Sequence, residues 1–147
     1  MVSDKTITGV SQFLQTYRAD FQRYDAEAVI GHYLFPGHIV SDADTVALMP
    51  LAIEADLRAG VERILDWHRR LGVVSSRLMR SDVIELSPRL ASLDLEVELH
   101  GADGPLYDYR GFYTLVLRDG AWRIAALTHN QVPRLLACLS AHEGAAA

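Results

Sequence analysis

The segment Leu106–Gln131 constrains the fold more than any other part of the sequence. It contains two apolar, aromatic-rich runs, Leu106–Arg118 and Ala121–His129, on either side of the dipeptide Asp119-Gly120. Asp-Gly readily adopts the two positive φ angles of a type I′ turn, which is the usual two-residue connection of a β-hairpin. We therefore predict a long β-hairpin near the end of the chain.

Length and composition predict one globular domain that spans residues 1–147. Hydrophobic residues make up 50% of the sequence and charged residues 22%, and the formal net charge of -5 disfavours a nucleic-acid partner. Cys138 is the only cysteine, which excludes an intramolecular disulfide and fits a reducing compartment. The N-terminus lacks the apolar core of a signal peptide, and no uncharged run reaches the length of a membrane span. We expect a cytoplasmic protein with no membrane association.

The first half of the chain has helical periodicity. In Thr8–Arg23 the apolar residues recur at spacings of three and four, which places them on one face of a helix. Asp25 can cap a second, short helix that runs to Pro36-Gly37. A third helix is predicted between Pro50 and its C-terminal cap, Gly72.

The second half of the chain has strand periodicity and is predicted to form an antiparallel meander. A short hairpin, turning through Asp42-Ala43-Asp44, precedes the third helix, and a short helix over 132–142 follows the core domain of 8–131. Helices followed by strands indicate an α+β fold, with the helices gathered on one side of the sheet. The predicted strands are His38–Ser41, Thr45–Met49, Val73–Leu86, Leu90–His100, Leu106–Arg118 and Ala121–His129.

Loop lengths predict which side chains of the last three strands face inward. If Gly101–Gly104 is the loop of the first hairpin, His100 opposes Pro105. In the second hairpin, the two-residue turn at Asp119-Gly120 makes Arg118 oppose Ala121. The more apolar face is then the inner one and contains Leu93, Leu95, Val97, Leu99, Phe112, Thr114, Val116, Ala125 and Leu127, with Asp108, Arg110 and His129 as polar members. In this register the strand aromatics lie on the outer face, where Tyr and Trp suit a dimer contact.

A one-residue bulge reverses this assignment, because successive strand residues face opposite sides. The opposite face then lines the pocket. Its members are Glu96, Glu98, Tyr107, Tyr109, Tyr113 and Trp122.

Three stretches resemble the nuclear transport factor 2-like, or SnoaL-like, superfamily: FLQTYRADF, YDAEAVIGHY and YTLVLRDGAWRIAAL. Tyr17 matches the aromatic of the first helix, Asp25 the acidic turn before the second, and Thr114 and Asp119–Trp122 the late hairpin. The resemblance implies a curved sheet wrapped round the long helix, enclosing a deep, mostly apolar pocket in a cone. It also implies a frequent homodimer through the outer sheet face.

The same resemblance allows a comparison with ketosteroid isomerase, which uses a tyrosine, a general-base aspartate and a protonated aspartic acid. Tyr17 matches the tyrosine. The base position aligns with Ser41, one residue before Asp42, and the acid position aligns with Thr114 or Tyr113. Steroid-type isomerisation is therefore disfavoured.

Three functional hypotheses follow from these patterns. The first is a protein that binds a small hydrophobic or aromatic molecule in an internal pocket, without a cofactor or a protein-bound metal. The second is a cofactor-independent lyase, isomerase or hydrolase in which Tyr17, Asp42, Arg110 and His129 converge. The third is a non-catalytic dimeric interaction module. His68 is interpreted as a packed or half-exposed histidine and not as a ligand. The predicted pocket residues are Tyr17, Phe21, His38, Leu95, Val97, Asp108, Phe112, Thr114 and Leu127.

Overall fold

A computed structural model describes residues 2–42 and 45–146 of the chain. Helices come first and long strands follow, as the sequence predicts. In chain order the elements are α1 (Asp4–Gln22), α2 (Ala26–Ile30), β1 (Tyr33–Asp42), β2 (Val46–Leu51), α3 (Glu54–Leu71), β3 (Ser75–Ser87), β4 (Leu90–Gly101), β5 (Gly104–Arg118), β6 (Ala121–His129) and α4 (Gln131–Ala146).

The strands form an open sheet in the order β2-β1-β6-β5-β4-β3. Every neighbouring pair is antiparallel except β1 and β6, which run parallel. Helices α1 and α3 contribute their apolar faces to one core against the inner face of the sheet. The predicted α+β fold with a curved, mostly antiparallel sheet is confirmed. None of the helices in the described part of the chain combines the length and the apolar character needed to cross a membrane.

Local chemistry explains where the predicted caps and turns lie. The Asp25 side chain accepts a hydrogen bond of 3.1 Å from the backbone N–H of Ala28 and so caps α2. Gly72 ends α3 with a left-handed φ of 77°, which glycine adopts without a steric penalty. Asp119 and Gly120 both have positive φ, as the predicted type I′ hairpin turn requires.

The second helix is shorter than predicted. It ends at Ile30, and Tyr33 already belongs to β1. Pro36, which follows a cis peptide bond, lies where the register between β1 and β6 shifts, since proline has no N–H to donate to a neighbouring strand. The predicted pairing of β1 with β2 is confirmed as far as Asp42 and Val46. Residues 43 and 44 of the predicted turn lie outside the described residues.

The loop-length register of the meander is wrong because two β-bulges shift it. His100 does oppose Pro105, but Leu99 opposes Tyr107, so Leu106 is an extra residue in β5. Likewise Arg118 opposes Ala121, but between the pairs Leu115–Ile124 and Thr114–Ala126 the residue Ala125 is extra in β6. Each bulge shifts the pairing by one residue. Beyond the bulge, the side chains predicted to face inward on that strand therefore face outward, and the reverse.

The bulges place the tyrosines of β5 inward and its charged residues outward. Tyr107, Tyr113 and Trp122 are buried, so the predicted outer aromatic face is wrong. Leu93, Leu95, Val97, Leu99 and Leu127 face inward as predicted. The predicted inner residues that lie on the outer face instead are Asp108, Arg110, Phe112, Thr114 and Val116. Glu96 and Glu98, the alternative pocket residues, also lie on the outer face.

Ion pairs cover one end of this outer face. Asp94 accepts from Arg80 at 3.1 Å and from Arg110 at 2.7 Å, and the hydrogen bond from Arg110 is the main cause that lowers the pKa of Asp94. Arg110 also packs over the ring of Phe112, 4.8 Å from its centroid. Glu98 pairs with Arg77 in the same region. Charged side chains therefore occupy the surface where the loop-length register predicts a pocket rim.

Candidate functional site

A small cavity lies inside the cone, between α1, α3, β3, β4 and β5. Its volume is about 30 Å³, which is room for about one water molecule. Its walls combine an apolar floor from β4 with polar groups contributed by the helices and β5. The lining residues are Tyr17, Arg18, Phe21, His68, Ser76, Leu95, Val97, Leu99, Tyr109 and Gln131.

A cluster of tyrosines fills the space beside this cavity. The hydroxyls of Tyr17 and Tyr33 are 2.9 Å apart, and the ring of Tyr17 packs edge-on against that of Tyr113 with centroids 6.2 Å apart. Burial is the main cause that raises the pKa of Tyr17, Tyr33, Tyr109 and Tyr113. All four hydroxyls therefore keep their protons at neutral pH and can act as hydrogen-bond donors.

A second buried polar group closes the other end of the cavity. His68 Nε2 lies 2.6 Å from the hydroxyl of Tyr107, and the side-chain amide of Gln131 donates to the same hydroxyl at 3.1 Å. Either His68 Nε2 or the Tyr107 hydroxyl can donate in this pair, depending on the imidazole tautomer. His68 is only 2% exposed, and burial lowers its pKa to about 4. His68 is therefore a neutral imidazole whose Nε2 is held by the Tyr107 hydroxyl.

His129 faces inward but is not a free base. Its Nδ1 accepts the backbone N–H of Gln131 at 3.1 Å, and burial lowers its pKa to about 4. A general base needs an available lone pair within reach of the proton that it removes. The Nδ1 lone pair of His129 is therefore occupied by a hydrogen bond within the fold.

The predicted catalytic set does not come together. Tyr17 lies inside the cone, whereas Arg110 lies on the outer face, where it pairs with Asp94. Asp42 is exposed at the end of β1. Inward-facing His129 is thus separated by the sheet from Arg110.

Of the predicted pocket residues, four line the cavity: Tyr17, Phe21, Leu95 and Val97. Leu127 is buried in the core but does not line it. The predicted residues that lie on the outer face are His38, Asp108, Phe112 and Thr114. Asp108 and Arg110 instead line a separate outer notch of about 270 Å³.

Several cavity residues are absent from the predicted set. Tyr109 is a pocket residue only in the alternative register. The sequence signal for its inward position is that Tyr107 and Tyr109 alternate with the charged residues Asp108 and Arg110 in β5. His68 is correctly interpreted as packed, but its position on the cavity wall depends on the cone geometry. Arg18 lies off the apolar stripe of α1, so helical periodicity alone indicates a solvated residue.

Another buried polar pair lies beside the tyrosine cluster. Asp20 is buried and accepts from Arg23 at 2.5 Å, and its other carboxylate oxygen lies 2.7 Å from His32 Nε2. His32 packs edge-on against Tyr17 with centroids 5.4 Å apart. This carboxylate holds the junction between α1 and β1 and does not line the cavity. Within residues 2–42 and 45–146, no group of three His, Cys, Asp or Glu side chains is arranged to hold a metal ion.

Comparison with known families gives one match, to the family described as "NTF2-like protein (DUF6841)", over residues 4–132. No curated protein matches the sequence.

Several solved structures share the fold. Aln2 from a Streptomyces species superposes with a TM-score of 0.73 at 16% identity, covering 96% of this chain and 99% of its own. An NTF2-like protein of unknown function from Shewanella oneidensis has a TM-score of 0.68 at 13% identity, covering 86% and 99%. A ketosteroid isomerase-like protein from Erwinia carotovora atroseptica has a TM-score of 0.63 at 16% identity, covering 88% and 98%. At these identities the likeness concerns the fold alone.

Proposed function

The chain belongs to the NTF2-like family described as NTF2-like protein (DUF6841), and from this we propose that it binds a small hydrophobic or aromatic molecule inside the cone. The observation that carries the proposal is the composition of the cavity wall. Leu95, Val97 and Leu99 form an apolar floor, and hydroxyl, imidazole and guanidinium groups converge on it from the other walls. Ligand sites typically combine mostly apolar walls with a few convergent polar groups.

Phe21 governs how such a ligand enters. A cavity of about 30 Å³ is too small for an aromatic ring, which needs on the order of 150 Å³. Phe21 is half-buried at the mouth and packs edge-on against Tyr17 with centroids 5.1 Å apart. When Phe21 swings outward, the ring of a ligand can take the same place against Tyr17. We therefore propose that Phe21 plugs the free cavity.

Binding is favoured over catalysis by the hydrogen bonding of the cavity. None of the lining residues is a carboxylate, and Nε2 of His68 is held in a hydrogen bond with the Tyr107 hydroxyl. The hydroxyl, amide and guanidinium groups of the wall can donate hydrogen bonds to a ligand, but at neutral pH they are poor acceptors of its protons. The proposal is therefore a binding protein.

Methyl-resolved NMR titration with phenol tests this proposal in the wild type and in Phe21→Ala. We expect phenol to shift the methyl signals of Leu95 and Val97, and to bind the Phe21→Ala variant more tightly because the plug is gone. Ile84→Ala is the control, since it shortens an exposed apolar side chain of β3 that does not line the cavity. If the inner methyls do not respond in either the wild type or Phe21→Ala, the proposal is wrong.

We also propose that the protein forms a homodimer through its outer sheet face. Beside the ion pairs, an uncharged cross-strand row runs over β2, β1, β6 and β5 through Leu48, Val40, Thr128 and Phe112. Leu48 is 74% exposed and Phe112 is 51% exposed. Exposed apolar side chains arranged in one row are typical of a protein interface. The mass of the protein in solution tests this proposal.

A further inference from the structure

Arg18 is the only charged side chain among the described residues that line the cavity. Its Nε donates to Ser76 Oγ at 3.0 Å, and its Nη2 donates to the Ser76 carbonyl at 2.6 Å. These two contacts use two of the five N–H groups of a guanidinium. The position of Arg18 is thus fixed by β3, while its remaining donors are available to a ligand.

Several other arginines of the fold have carboxylate partners. Arg80 and Arg110 share Asp94, and Arg23 pairs with Asp20. Among the described residues, no carboxylate lies within 4.0 Å of Arg18, although it is half-buried. Removing a cation from water without a counter-charge is unfavourable. An anion in the cavity would supply that counter-charge.

The surroundings of Arg18 indicate the shape of that anion. Tyr109 lines the same cavity as Arg18, and its protonated hydroxyl is a second hydrogen-bond donor in that wall. The floor behind these groups consists of Leu95 and Val97, and one turn further along α1 stands the ring of Phe21. The site therefore combines one cationic group with an apolar floor and with the position that the Phe21 ring occupies in the free protein.

We infer that the molecule bound in the cavity is a small aromatic monocarboxylate. Its carboxylate accepts hydrogen bonds from Arg18 and Tyr109, and its ring takes the place of Phe21 against Tyr17. The inference rests on the proposed binding function and deepens it, because it names the chemical class of the ligand. Hydrogen bonds between charged groups are shorter and stronger than those between neutral groups. The charge of the carboxylate should therefore make the cavity prefer an anionic aromatic ligand to a neutral one.

Benzoate and benzamide form a matched pair of probes, since they have the same ring and nearly the same size but differ in charge. By methyl-resolved NMR and calorimetry, we expect benzoate to bind the wild type about ten- to hundredfold more tightly than benzamide. Arg18→Gln should remove that preference and leave benzamide binding within about twofold. Arg118→Gln, at an exposed arginine of the hairpin, is the control. Arg18→Lys retains the charge and should keep part of the preference.

The outcomes separate the two proposals. If both probes shift the methyls of Leu95 and Val97 equally, the anion inference fails while the binding function stands. The same holds if Arg18→Gln leaves the preference for benzoate unchanged. If neither probe shifts these methyls, and phenol does not shift them in Phe21→Ala either, both proposals fail. Should Arg18→Gln not fold, the benzoate-to-benzamide ratio of the wild type and of Arg18→Lys still decides.

Discussion

The buried imidazole of His68 predicts a specific loss of stability in mild acid. His68 is neutral in the fold because burial lowers its pKa from an ordinary 6.5 to about 4. In the unfolded chain it takes up a proton below pH 6.5, so between pH 6.5 and 4 the unfolded state binds more protons than the folded state. Stability therefore falls as the pH falls through this window and is fully present above it.

The size of this loss follows from the two pKa values. Each pKa unit corresponds to about 1.4 kcal/mol, so the His68 contribution amounts to about 3 kcal/mol between pH 6.5 and 4. About 2.5 kcal/mol of it is already lost when the pH is lowered from 7 to 4.5. A domain of this kind has a free energy of unfolding of about 5–15 kcal/mol, so the change is easily measured.

Urea unfolding followed by tryptophan fluorescence, at several pH values from 7 to 4.5, measures the effect. His68→Gln keeps an acceptor for the Tyr107 hydroxyl but cannot be protonated, so its stability should decline by about 2.5 kcal/mol less than that of the wild type. His38→Gln, at an exposed histidine, is the control and should follow the wild type. The carboxylates are common to all three proteins and cancel in the comparison. An equal decline in His68→Gln and the wild type would refute the reasoning.

Two further predictions concern helix packing and assembly. Gly9→Ala should destabilise the fold by about 1–3 kcal/mol in urea unfolding, because the new Cβ would lie 2.6 Å from Nε1 of Trp122. Gly60→Ala, with nothing within 4 Å of its Cβ, should instead stabilise it by about 0.5–1 kcal/mol; equal effects of the two would contradict this packing argument. In sedimentation analysis the wild type should run at about twice its chain mass of 16.3 kDa, and Thr128→Arg, in the centre of the uncharged row, should run as a monomer. Gln15→Arg, at an exposed position of α1, is the control and should remain dimeric. If the wild type itself is a monomer, the dimer proposal is wrong.

Local chemistry predicts most of the fold. The hairpin strand Ala121–His129 has the predicted bounds, and the caps at Asp25 and Gly72 lie where their side-chain chemistry favours them. These features depend on residues close together in the sequence, such as the Asp119-Gly120 turn. Helical and strand periodicity give the order of elements, and this order gives the α+β architecture.

The candidate site is harder to predict because it depends on the register between strands. The pairs that flank the two turns of β5, His100–Pro105 and Arg118–Ala121, are predicted correctly, although Gly101 and Gly104 also pair and shorten the first loop to two residues. Leu106 and Ala125 nevertheless each add one residue to the pairing. A bulge changes no loop and no turn, so loop counting does not detect it. The sequence does contain a local signal, since Tyr107 and Tyr109 alternate with the charged residues Asp108 and Arg110. The apolar floor from β4 is predicted correctly because it needs only alternation within one strand.

The two bulges also determine how residue roles can be compared between members of the family. Solved structures that share this fold at 13–16% identity can be aligned in sequence only with gaps, and a single gap at Leu106 decides whether Tyr109 or Arg110 is matched with an inward-facing residue. These two neighbours lie on opposite sides of the sheet, one against the cavity and the other paired with Asp94. A shift of one alignment column therefore exchanges a cavity-lining residue for a member of a surface ion pair. For this fold, residue roles can be transferred from one member to another only after their strands have been superposed in space.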